Sequence, residues 1–315
     1  MWSGPVNNGV GAPAKSERGF ALLLVIWVVS LLTVLATMLL SDTRNEALLV
    51  RNNLETARAS ALAEAGVTLA IAGLLDPNPS TRWSADGTPH RIAYDGGTVT
   101  VTMADENGKI DLNLAPLELL GSLFATQGLD SDLRGKLLAE IDRRRKAAAQ
   151  LTPLNFSRAL IPLGGLSPRS AFYSVEDLRS IPDLNRAAFE RLRPFLTVYS
   201  QSGHINPLTA PRQVLLAIPG INPLEVDALI AARKDFGTNL NPGSLPPLTG
   251  GQQYLGFVGS GGAAAVTSEG VTAGGASFTR EAIVSLTDAP LQPYRILEWR
   301  QPISGDYASA VVQQR

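Results

Sequence analysis

The chain has no cysteine, and only two of its 315 residues are histidine. Without cysteine no disulfide framework is available, which fits any compartment, the periplasm included. His90 and His204 are isolated in sequence, beside no nucleophile motif and at no metal-ligand spacing. Nothing in the sequence therefore reads as an enzyme. An excess of charge is missing too. The net charge is −1 and the pI about 6.2, so no global field draws the chain to nucleic acid.

One further absence is local. From Phe20 to Leu40 there is no charged residue, and Ser30, Thr33 and Thr37 are the only polar side chains. A helix of about 20 such residues crosses a bilayer core. A secretory signal has an apolar region of about 7–15 residues, shorter than this run. Lys15, Glu17 and Arg18 stand directly before the apolar edge, and Asp42, Arg44 and Glu46 follow it. That small basic excess keeps the N-terminus cytoplasmic and sends the bulk outside. The junction Glu17-Arg18-Gly19-Phe20 resembles a type IV prepilin leader. The peptidase of that family cuts after the Gly, here between Gly19 and Phe20. A plain signal-anchor helix explains the same hydropathy without cleavage.

Residues 1–19 contain Gly, Asn and Pro and are expected to be disordered. Helical pattern then continues through the apolar run to about Leu75, with an expected stripe of Leu48, Leu54, Ala61, Leu62, Ala65, Leu69 and Leu75. Asp76-Pro77-Asn78-Pro79 ends it, because Pro lacks the amide and disfavours helix before it. His90–Tyr94 and Thr98–Met103 flank Asp95-Gly96-Gly97 and read as a hairpin, with Val99, Val101 and Met103 on one face.

Residues 109–240 read mostly as helix, with an internal repeat. Gly108-Lys109-Ile110-Asp111, Ala115-Pro116 and Leu119-Leu120 match Gly203-His204-Ile205-Asn206, Ala210-Pro211 and Val214-Leu215. In each copy the Asp or Asn is expected to cap a helix opening near the Pro. Ile181-Pro182-Asp183-Leu184 and Ile218-Pro219-Gly220-Ile221 form a second recurring phrase, each a turn between helices. The stretch Ile205–Gly237 resembles a helix-hairpin-helix module, which often grips DNA phosphates through backbone amides. Its turn carries Asn222 in place of a second Gly, and Pro223 removes an amide. Residues 110–240 hold 15 Lys and Arg against 13 Asp and Glu. The dense cluster Arg143-Arg144-Arg145-Lys146 reads as a solvated helix end. No nucleic acid is expected as partner. Residues 237–276 are rich in Gly, Pro, Ser and Ala and read as loop. Strand character returns at Ser277–Leu286 and Tyr294–Gln301, so the helical block is an insertion between strands of one sheet.

The whole order of parts resembles the minor pseudopilin K family of type II secretion systems. The resemblance rests on Arg18-Gly19-Phe20, the long helix and the phrase from Asp105 to Asn113. It also draws on the units Ser174–Val198 and Ile205–Gly237 and on the closing Tyr294-Arg295-Ile296-Leu297-Glu298-Trp299. It implies an α+β fold, with a pilin-like long N-terminal helix on an antiparallel sheet and a large helical domain inserted between strands. The expected divisions are a leader at 1–19, a transmembrane part at 20–41, an α+β domain at 42–108 and 245–315, and an inserted domain at 109–244. The resemblance further implies cleavage at Gly19–Phe20, with Phe20 as a new N-terminus open to N-methylation. Its implied partners are minor pseudopilins I and J, with H as a further candidate, the prepilin peptidase and the bacterial inner membrane.

Pilins and major pseudopilins carry Glu at the fifth mature position, where it is thought to pair with a neighbour's N-terminal amine. Here that position is Leu24. A chain without the acid suits the filament tip, with no subunit above it. No cofactor is firmly implied. Family members can bind calcium, but the ligands cannot be matched residue by residue, and Asp105-Glu106-Asn107-Gly108 lacks EF-hand spacing and reads as a turn. A membrane-anchored helix-hairpin-helix DNA receptor is the alternative from a different class.

Overall fold

The computed structural model describes Gly4 and residues 18–94, 96–150, 170–236, 246–256, 262–287 and 292–301. The expectations placed on residues 1–17 fall, apart from Gly4, outside these. Two units are distinguished, residues 1–55 and 56–315.

The first unit is formed by the opening part of helix α1 (Arg18–Leu74). Residues Ala21–Met38 have a mean hydropathy of 2.6 and are all exposed, long and apolar enough to cross a membrane. The three hydroxyls within this stretch are not left bare. Ser30 donates to the Ile26 carbonyl, Thr33 to that of Val29 and Thr37 to that of Val34, each at 2.8 Å. Satisfying polar groups inside the helix is what an apolar medium requires.

The second unit is layered around a five-stranded antiparallel sheet. Its strands are β1 (His90–Tyr94), β2 (Gly97–Asp105), β5 (Ala263–Thr272), β6 (Ser277–Leu286) and β7 (Tyr294–Arg300), in the order β1-β2-β5-β6-β7. The hairpin forms as read, with Tyr94 opposite Gly97 and Val99, Val101 and Met103 fully buried.

The rest of α1 covers one face of this sheet through Ala59, Leu62, Ala63, Gly66, Val67, Ala70, Ile71 and Leu74. This stripe differs from the expected one, of which Leu62 alone is buried; Ala61 is exposed, as are Leu48 and Leu54 in the first unit. Small residues prevail because helix and sheet touch backbone to backbone. A Cβ on Gly270 would lie 2.5 Å from the Ala59 carbonyl oxygen and 2.6 Å from the Ala63 nitrogen. One on Gly66 would lie 2.0 Å from Ser268 Oγ.

The same contact corrects the reading of 237–276 as loop. Ala263–Thr272 is the central strand, with Ala264, Val266, Ser268, Gly270 and Thr272 buried. Its Gly, Ala and Ser content serves close helix approach rather than disorder. Residues 237–245 and 257–261 lie outside the described residues.

The helical block fills the chain between β2 and β5. It contains α2 (Leu117–Thr126), α3 (Ser131–Gln150), α4 (Arg186–Leu192), α5 (Arg212–Leu216) and α6 (Pro223–Phe236), with a short parallel pair β3 (Ile110–Asp111) and β4 (Leu196–Thr197). Its core includes Leu119, Leu120, Phe124, Phe172, Phe189, Leu192, Val214 and Leu215, and continues onto the second face of the sheet through Ala263 and Ile283. Asp105 at the end of β2 pairs with Ala264 at the start of β5, so the block leaves and re-enters the sheet at adjacent positions.

Gly270→Ala is expected to destabilise the second unit by about 1–3 kcal/mol, since the backbone atoms opposite cannot move aside. Gly135→Ala in α3, where a Cβ meets nothing within 4 Å, is expected to be stabilising by about 0.5–1 kcal/mol. Thermal unfolding of the two variants checks both signs.

Candidate functional site

The residues expected to be processed lie at the start of α1. Arg18, Gly19 and Phe20 already have helical backbone, and Leu24 follows at 52% exposure. His90 stacks on Trp83, with ring centroids 4.1 Å apart, and His204 is exposed. Among the described residues no group of three or more His, Cys, Asp or Glu side chains could hold a metal ion.

The polar centre of the molecule is instead the point where the helical block joins the sheet. Asp105 ends β2, and a 3₁₀ turn at Glu106–Gly108 follows, with all three of its residues buried. The Asp105 carboxylate accepts from the Asn107 amide nitrogen (2.9 Å) and Nδ2 (2.8 Å) on one oxygen. Its other oxygen accepts from Asn206 Nδ2 (3.0 Å) and Thr209 Oγ1 (2.9 Å). The Asn206 nitrogen also donates to the Asn107 carbonyl at 2.8 Å. Four donors on one carboxylate make this a joint, with no lone pair turned to an ion or substrate.

The joint binds the two sequence repeats to each other. Gly108 of the first packs on Thr209 of the second, where a Cβ would lie 2.8 Å from the carbonyl group. Gly203 of the second packs on Leu114 of the first, 3.0 Å from its carbonyl oxygen. Gly108 and Gly203 are equivalent in the repeat, and so are Leu114 and Thr209. The contact is therefore reciprocal, as in a two-fold interface.

Each repeat is then locked by an arginine from its second helix. Arg145 Nε donates to the Leu112 carbonyl (2.8 Å) and its Nη1 to that of Ala115 (2.7 Å). Arg233 donates to the equivalent carbonyls, Ala210 at 2.7 Å and Pro207. Burial lowers the pKa of both, Arg233 to about 10. This corrects the reading of the 143–146 cluster as a solvated end. Arg143 and Arg144 pair with Glu140, and Lys146 with Asp142, but Arg145 turns inward. Asp111 and Asn206 do not cap α2 and α5 either. Pro116 and Pro211 hold the cap positions without side-chain bonds. Asp111 instead accepts from the Asn113 and Leu114 amides and from Ser200 Oγ (2.9 Å). Burial raises its pKa against those bonds.

Three turns of one design connect the helices. Gly128-Leu129-Asp130, Asp183-Leu184-Asn185 and Gly220-Ile221-Asn222 each begin with a left-handed residue, at φ of 75°, 70° and 78°. Each ends on an Asp or Asn whose side-chain oxygen accepts a first-turn amide of the following helix: Leu133, Ala188 and Leu224 respectively. Those amides are what a phosphate would need. At the third turn Gly250 also packs onto the Gly220 carbonyl, and Glu225 accepts from the Thr249 amide at 2.5 Å. A carboxylate and a covering loop at that helix start oppose the DNA-receptor reading.

The chain is similar to one in the crystal structure of the GspK-GspI-GspJ complex of the type 2 secretion system from enterotoxigenic Escherichia coli. Identity is 14% across 84% of this chain and 100% of that one, with a TM-score of 0.45. No family model and no curated protein matches.

Arg145→Met and Arg233→Met are each expected to destabilise the second unit by about 2–4 kcal/mol, because each strands two or more carbonyls. Chemical denaturation of the single and double variants measures this. Asp111 has its folded pKa raised above the unfolded value, so its contribution favours folding at low pH and is lost as pH rises through the folded pKa. Asp111→Asn, the residue already present at Asn206, is expected to remove that loss. Urea midpoints at pH 4 and pH 7 should differ less in the variant than in the parent.

Proposed function

We propose that this chain is a minor pseudopilin of a type II secretion system, held in the bacterial inner membrane by residues 20–41 with its globular part in the periplasm. In this reading it is cut between Gly19 and Phe20. It then caps the tip of the pseudopilus with minor pseudopilins I and J and initiates assembly. The observation that carries the proposal is the pairing of β2 with β5 across the helical block. It makes the block an outgrowth of one helix-backed antiparallel sheet, as the sequence resemblance implies, rather than a separate module on a tether. Three features add to it: the Arg18-Gly19-Phe20 junction, the apolar stretch of α1 and Leu24. An unpaired carboxylate in an apolar helix bundle is costly. Leu24 spares a subunit with no neighbour above it that cost, and gives it nothing to hold such a neighbour by.

Coexpression of the full chain with a prepilin peptidase, followed by N-terminal sequencing, tests the proposal. Phe20 is expected as the new first residue. An intact leader in the presence of active peptidase reduces the apolar segment to a simple anchor and overturns the reading. A DNA gel shift that weakens with salt would favour the receptor alternative.

A further inference from the structure

The packed part of α1 is held unevenly along its length. Its C-terminal portion buries Val67, Ile71 and Leu74, whose large side chains supply most of the apolar contact. Between Ala59 and Glu64 the contact is mainly alanine against glycine: Ala59 and Ala63 are fully buried on Gly270, and Leu62 alone is large. Little apolar area holds these residues down.

A polar clamp sits at this weak point. Arg280 of β6 donates from Nη2 to Glu64 Oε1 at 2.7 Å and to Ser60 Oγ at 3.4 Å. Its guanidinium lies 4.9 Å from the Phe278 ring centroid and 5.4 Å from that of Trp299 on β7. The rings fix the cation in place and shield it, leaving 14% of the Arg280 side chain exposed against 48% for Glu64. This accounts for an otherwise unexplained feature, a 43% exposed tryptophan on an edge strand. Trp299 is the outer wall of the clamp.

We propose that residues 59–64 of α1 form a releasable segment, held to the sheet by the Arg280–Glu64–Ser60 clamp, and that opening the clamp frees this part of the helix while the anchor at 67–74 stays seated. Six residues of helix span about 9 Å. Edge strand β7 senses the state of α1 through Trp299. A contact that displaces Trp299 or competes for Glu64 releases the segment.

Hydrogen exchange of the full chain in detergent, read at residue resolution across α1, tests this. Arg280→Gln is expected to speed exchange at amides 59–64 by about 5–10-fold, the order for a partly screened ion pair with ring stacking. Amides 67–74 keep the parent rates. Glu64→Gln, at a half-exposed position that leaves the fold intact, should speed the same amides by a smaller factor. Salt at about 1 M, where screening is nearly complete, should do so in the parent and not in Glu64→Gln. Unchanged rates at 59–64 in Glu64→Gln overturn the proposal. So does acceleration extending through 67–74 and the sheet, which would make Arg280 a general support of the fold.

Discussion

The close approach of α1 to the sheet is the constraint that sets the composition of both. Ala59 and Ala63 can sit on β5 only because Gly270 has no side chain, and Gly66 leaves room for Ser268. Backbones that near require small residues on both sides, so the helix buries Ala59, Ala63, Gly66 and Ala70, none of them in the expected stripe. The central strand consequently has a composition that passes for a loop. With β5 seated, β2 and β6 pair along its two edges, and the sheet acquires a second face for the helical block to cover.

That second face explains the polar joint. A large insertion must leave one strand and return to the next without splitting their ladder. Asp105 and Ala264 do this by pairing directly, and the Asp105 carboxylate gathers donors from Asn107 in the exit turn and from Asn206 and Thr209 of the second repeat. The repeats in turn hold each other through reciprocal glycine contacts, and each is closed by its own buried arginine. The block is thus tied together at its root.

Much of this was legible in the chain. Alternation placed Val99, Val101 and Met103 in the core, and Pro-Gly and Pro-Asp phrases marked two of the left-handed turns. The third, Gly128-Leu129-Asp130, carries the same αL–apolar–Asx signal and could have been found by spacing alone. Three features were not legible. Strand β5 opens on three alanines and carries Gly270, because part of its face meets a helix backbone, and its Val and Thr residues stand among Gly- and Ala-rich neighbours that read as loop. The inward course of Arg145 depends on a carbonyl cradle formed 30 residues or more away, at Ala115 and Leu112. The Asp105 joint draws on Asn206 and Thr209, and no local pattern reports a partner at that separation. Sequence periodicity captures what an element does for itself; these residues are set by what lies opposite them.

The central claim is that β2 and β5 are neighbours across the helical block. A chain without cysteine allows a direct measurement. Thr100 stands opposite Glu269 in the ladder. Thr100→Cys combined with Glu269→Cys, oxidised and then cut by protease within the block, is predicted to leave two fragments joined under non-reducing conditions. Thr100→Cys with Ser268→Cys, one residue out of register and facing the other side, should not join them. Fragments that separate in the first case, or link equally well in both, would contradict the account.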